Sequence, residues 1–121
     1  MKNQTYRMTM LLVFYGEILT QRQREFFDLY YNEDLSLAEI AENYGISRQG
    51  VRDAIVRAET AMEELEDKTG LLKRFMRLRE KIDAIEAAAA EIQKLNYRQY
   101  DNPELERLAG EIRTCAAALK E

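Results

Sequence analysis

The chain has 121 residues with 18 basic and 22 acidic side chains, a formal charge of −4 and 46% hydrophobic content, which suits a soluble globular chain and excludes wholesale disorder. It has no histidine and one cysteine, so histidine triads, histidine metal sites, cysteine-rich zinc sites and internal disulfides are all excluded. One proline and five glycines leave few turns, and that scarcity points to an all-α protein without catalytic machinery.

The first helix is expected over about Tyr6–Tyr15, where Met8, Leu11, Leu12 and Tyr15 recur at helical spacing toward Ile18 and Leu19, and Gly16 ends it. Its apolar run, Met10–Tyr15, is too short for a signal-peptide core or a membrane span. Together with the lone Cys115 this places the chain in the cytoplasm. Thr20 opens a second helix with Gln23 at the capping-box position. Phe26, Phe27, Leu29, Tyr30 and Tyr31 crowd this helix too densely for one face, so some of them should meet another helix or a partner. Ser36 and Glu39 form a second capping box ahead of Leu37, Ile40 and Ala41, and the helix stops at Asn43-Tyr44-Gly45. Ser47 caps a fourth helix whose seam is Val51, Ile55, Ala58, Met62 and Leu65, ending near Gly70.

Beyond Gly70, Leu71, Phe75, Leu78, Ile82, Ile85, Ala89 and Ile92 step by four and three through a long helix. The stretch Asn96–Asn102 breaks the pattern. Asn102 and Pro103 then start a last helix with Leu105, Leu108, Ile112, Cys115 and Leu119 on one face, where Cys115 reads as a small core residue. Two parts follow, 1–70 and a helical extension or hairpin over 71–121. The last helix is shorter than the one before it, so a hairpin covers only part of the longer seam, and the remainder predicts a homodimer.

Leu37–Ala58 carries the most information. Ala41 is small where two helices cross, Gly45 supplies a positive φ, Ile46 and Val51 fill the wedge, and Ser47 caps the second helix. This is the pattern of a helix-turn-helix. If it reads DNA, Arg48 and Gln49 reach base edges, Arg52 and Arg57 contact phosphates or bases, and Ser47 and Ser36 offer cap hydroxyls to phosphates. Arg57 can instead pair with Asp53 four residues away, whereas Arg48, Gln49 and Arg52 have no obvious partner. Residues 47–58 carry +2 between two blocks of −4, so phosphate affinity rests on three or four cations per chain, and a dimer doubles them. A second basic stretch, Lys73, Arg74, Arg77, Arg79 and Lys81, is interleaved with Phe75, Met76 and Leu78.

From Tyr15 to Phe75 the chain resembles the YlxM family, small bacterial helix-turn-helix proteins associated with the signal recognition particle. The segments Leu-Thr-x-x-Gln-Arg, Leu-Tyr-Tyr, Leu-Ser-Leu-x-Glu-Ile-Ala and Ile-Ser-Arg-Gln-Gly-Val carry the resemblance. The same stretch is more distantly similar to region 4 of sigma factors. The resemblance implies a sigma-like helix-turn-helix with a regulatory role, a link to the signal recognition particle pathway, and no catalytic residues or cofactor. The alternative it leaves open is a protein or RNA adaptor of that particle, with the aromatic patch Phe26–Tyr31 or the basic residues Lys73, Arg74 and Arg77 making the contact. Neither reading requires a small-molecule substrate, a metal or membrane insertion.

Overall fold

Capping chemistry sets the helix boundaries in the computed structural model, which describes residues 5–120. Helix α1 spans Thr5–Tyr15 and passes into a 3-10 turn at Gly16–Ile18. Helix α2, Gln21–Tyr31, and α3, Leu37–Tyr44, each begin with a complete capping box, Thr20 with Gln23 and Ser36 with Glu39. In both, the cap hydroxyl accepts the N3 amide while the N3 side chain accepts the cap amide, so two orphan donors are satisfied at each start. Helix α4, Arg48–Thr69, is capped by Ser47, whose Oγ accepts the Gly50 amide at 3.0 Å. Helix α5 covers Leu71–Leu95 and α6 covers Pro103–Ala118. Among the described residues all regular structure is helical, as the sequence predicts, and no helix is long and apolar enough to cross a membrane.

The chain divides into two compact units, one ending at Leu72 and the other starting at Lys73. In the first, α4 is the common surface against which α1, α2 and α3 all pack. Its core side chains Val51, Ile55, Ala58 and Met62 are fully buried against Leu11, Phe26, Phe27 and Ile40. The expected seam continues to Leu65, but the structure takes a step of four and buries Glu66 instead, leaving Leu65 half-buried. A straight helix of 3.6 residues per turn drifts by about 20° per heptad from a 3.5-residue repeat, and over this length the drift exchanges one position for its neighbour.

Helix α2 also corrects an expectation. Phe26 and Phe27 are fully buried and Tyr30 and Tyr31 nearly so, so these rings form no aromatic patch for a partner. The helix lies among α1, α3 and α4, which occupies both sides of its apolar face. Ring contacts Phe26–Tyr44, Phe27–Tyr31 and Tyr30–Tyr31, with centroids 4.7–5.0 Å apart, fill that space.

In the second unit α5 and α6 form an antiparallel pair. Lys120 reaches Asp83 and Glu86 at 2.6 and 3.2 Å, while Gln93 donates to Glu106 and accepts from Arg113. The helix does not break at Asn96. It continues as a π-helical turn through Tyr100, and Asp101, with a φ of 45°, closes it. Buried Asn96 holds the connection by donating to the Asn102 carbonyl and accepting its amide, both at 2.8 Å. Between the helices lie Ile82, Ala89, Ala109 and Ala116, all buried. The larger residues expected on the seams, Leu78, Ile85 and Ile92 of α5 and Leu105, Leu108, Ile112 and Leu119 of α6, are 37–64% exposed. Cys115 is exposed too, not a core residue. The buried positions of this pair are mostly alanines, and the bulky residues are left exposed.

Candidate nucleic-acid interface

Helices α3 and α4 are joined by three residues. Gly45 adopts φ 67°, ψ 33°, and the Ile46 amide reaches back to the Ala41 carbonyl at 3.1 Å, closing a Schellman turn. A Cβ at residue 45 meets no neighbour, so glycine is needed for the backbone conformation rather than for space. Ala41 and Val51 are buried on either side of the turn, and Ser47 turns the chain into α4. The result is a helix-turn-helix whose second helix presents its first turn to solvent.

Ser36, Ser47, Arg48, Gln49, Arg52 and Arg57 are all exposed, but the structure gives them different surroundings. The Ser36 hydroxyl is occupied in its capping box, and the Glu39 carboxylate sits within the same first turn of α3. An anion approaching that helix end meets a negative charge. At Ser47 there is no acidic residue in the first turn of α4, and Arg48 follows the cap directly. Positive backbone potential and the guanidinium therefore act together there.

Gln49 is not without a partner: its Nε2 donates to Asp53 Oδ1 at 2.8 Å. The alternative Asp53–Arg57 pair is not formed: among the described residues no ion pair within 4.0 Å engages Arg48, Arg52 or Arg57. Three cations on or near the exposed start of α4 are thus uncommitted. A Cβ at Gly50 would lie 3.2 Å from Ser47 Oγ, so the glycine leaves room for the hydroxyl that caps the helix.

Several interactions near this motif have no counterpart in the sequence reading. Glu59, Glu63 and Glu66 run along α4 beside the core and are each taken by a side chain from another helix. Tyr31 donates to Glu59. Arg7 grips Glu63 with two hydrogen bonds, at 2.6 and 2.9 Å. Tyr15 donates to buried Glu66 at 2.6 Å, and the same carboxylate oxygen accepts the Leu72 amide at 2.9 Å. Burial and then the glutamate bond push the ionisation of Tyr15 and Tyr31 above the usual phenol range. The recurrence of glutamate at steps of four and three is the only signal the sequence held. On the other side, Arg22 lies over the rings of Phe26 and Tyr44 at 5.6 and 5.8 Å.

Residues 2–101 match the UPF0122 family, described as "Putative helix-turn-helix protein, YlxM / p13 like". The chain belongs to the UPF0122 family. A UPF0122 protein of Thermoanaerobacter sp. strain X514 is 45% identical over 105 residues, 87% of this chain and 86% of the relative. One from Bacillus thuringiensis strain Al Hakam is 43% identical over 96 residues, 79% and 87% of the two chains. One from Caldanaerobacter subterraneus subsp. tengcongensis is 51% identical over 78 residues, 64% and 67%. The UPF0122 match is wider than the Tyr15–Phe75 stretch legible as a resemblance: it takes in α1 and α5, while α6 lies outside it.

Proposed function

We propose that this UPF0122 protein is a cytoplasmic regulatory protein that binds double-stranded DNA through the start of α4, two copies acting together. The observation that carries this reading is the solvent-facing first turn of α4, where Ser47 caps a helix end without an acidic neighbour and Arg48 follows it; Arg52 and Arg57 lie further along the helix, and none of the three arginines holds an ion pair among the described residues. A second helix of a helix-turn-helix enters the major groove with such a turn leading. Arg48 then addresses a guanine edge, Ser47 and the free amides take a phosphate, and Arg52 and Arg57 add phosphate charge. Gln49 reads a base only after releasing Asp53, so it acts as a conditional contact. Ser36, with Glu39 beside it, contributes least. The test is salt-dependent binding to a random double-stranded DNA pool, followed by sequencing of what is retained. An enriched motif with two half-sites about one helical turn apart is expected. Weak binding without enrichment, gone by physiological salt, would retire the reading.

A second reading is favoured by the exposed basic residues Lys73, Arg74 and Arg77, which are interleaved with Met76 and Leu78, 37% and 54% exposed. It makes the protein an adaptor of the signal recognition particle, the helix-turn-helix serving as scaffold. In this case replacing Lys73, Arg74 and Arg77 by glutamate abolishes recovery of the particle's protein or RNA in pull-downs, and the intact protein shows no sequence-dependent binding to DNA.

A further inference from the structure

The side of α4 that faces the core is Val51, Ile55, Ala58 and Met62, all fully buried. A helix turns by about 100° per residue, so in its first two turns positions 49 and 53 lie within about 30° of the direction opposite that side. Gln49 and Asp53 are both exposed. Arg52 stands about 90° to one side of this line and Arg57 about 50° to the other, while Arg48 sits at the helix tip. The outermost ridge of the second helix is thus not basic. It is an amide and a carboxylate with a cation on either flank.

The amide and the carboxylate form one unit. Gln49 Nε2 donates to Asp53 Oδ1 at 2.8 Å, and among the described residues no ion pair within 4.0 Å engages Asp53. Asp53 Oδ2 is the acceptor left over. On a surface that only follows phosphates this charge is a handicap, because it repels every phosphate alike. In a major groove about 12 Å wide the ridge of an entering helix faces base edges instead, and its flanks face the two backbones. An acceptor on that ridge discriminates among bases. It is repelled by O6 and N7 of guanine and by O4 of thymine. Adenine offers its N6 amine with the N7 acceptor beside it, whereas cytosine offers its N4 amine with no acceptor adjacent.

We propose that Asp53 is a specificity-determining residue of the DNA site, accepting the N4 amine of a cytosine through Oδ2, and that Gln49 is its positioning residue. The inference rests on the DNA reading above and adds to it the chemistry of one base. While Gln49 holds Asp53 it touches no base, and Arg48 keeps its guanine. Selection here comes as much from repulsion of the wrong bases as from attraction to the right one.

The selection from random double-stranded DNA is repeated with the full-length Asp53→Ala and Gln49→Ala variants, and each is titrated with the wild-type motif and its single-base changes. Wild type should retain a cytosine in each half-site and lose about tenfold or more in affinity when that base is changed. Asp53→Ala should bind all four bases there within about twofold while the guanine preference set by Arg48 persists, and its affinity for random-sequence DNA should rise a few-fold because a repulsive charge is gone. A residue that only supports the fold would produce no such rise. Gln49→Ala should reduce the cytosine preference without that rise. Both side chains are exposed, so helicity by circular dichroism should be unchanged in either variant. An Asp53→Ala variant that keeps the wild-type preferences, or loses affinity for random DNA, would overturn the proposal and leave the DNA reading standing. A wild-type motif without a cytosine would do the same. Gln49→Ala with the full preference would remove the positioning role. A wild type that enriches no motif retires the DNA reading and this inference together.

Discussion

Glu66 shows how one side chain can hold several groups. Its buried Oε1 accepts from the Tyr15 hydroxyl and the Leu72 amide, while Thr69 Oγ1 receives the Leu71 amide and contacts the same tyrosine. Removing the carboxylate leaves buried donors without acceptors, so Glu66→Ala should cost about 2–4 kcal/mol in urea unfolding. Tyr15→Phe should cost less, about 1 kcal/mol, because the amide keeps its bond. The two changes should be non-additive in a double-mutant cycle. The tyrosines also give the protein a pH limit. Ionisation of Tyr15 and Tyr31 is raised in the folded state above the ordinary value of 10.0. Their contribution is therefore complete below pH 10 and is lost as pH rises through the folded-state values. The urea midpoint should fall above pH 10, and fall less steeply in Tyr15→Phe/Tyr31→Phe. A wild-type midpoint that stays level there would contradict this account. None of the three glutamate contacts was legible in the sequence, because each joins residues 28 to 56 positions apart.

At the scale of elements, boundaries were the most legible feature. Thr20, Ser36, Ser47 and Asn102 cap the helices they were expected to cap, because capping depends on the three residues that follow. Faces were less legible. Leu65 and Glu66, or Ala109 and Leu108, differ by one residue, and only the crossing of neighbouring helices decides which of the two is buried. Capping also yields predictions. Gly45→Ala forces a Cβ into a left-handed conformation and should cost about 1–2 kcal/mol, with Gly45→Asn recovering part of it. Ser47→Ala should cost about 1 kcal/mol of stability. It should also reduce DNA affinity beyond that loss, since the same turn holds the phosphate in the proposed complex. Equal DNA affinity for Ser47→Ala and the parent would remove Ser47 from the interface.

For the whole molecule, net charge is a poor guide to what α4 can bind. The acidic block 59–69 argued against an anionic partner, yet Glu59, Glu63 and Glu66 are each engaged by another helix. Arg7 offsets the charge of Glu63, whereas Glu59 and Glu66 accept from neutral phenols and keep theirs, so the field near Arg48, Arg52 and Arg57 is less opposed by one charge only. If these arginines meet phosphates, the slope of log affinity against log salt changes by about 0.9 for each phosphate contact. Arg52→Ala in a dimer should then flatten that slope by roughly two units, weakening all sequences alike, whereas Arg48→Ala should relax the preference at one base in each half-site. An unchanged slope for Arg52→Ala would remove that arginine from the phosphate contacts.

The tyrosine–glutamate bonds also have an optical consequence. The chain has no tryptophan, so its ultraviolet emission comes from seven tyrosines. A phenol becomes a far stronger acid on excitation, and a carboxylate already hydrogen-bonded to it drains the excited state by taking the proton. Tyr15 and Tyr31 are placed for this loss, whereas Tyr97 and Tyr100 are 86% and 64% exposed and emit as in water. The folded helix-turn-helix unit is therefore dim at its centre, and it should brighten on unfolding without any attached dye.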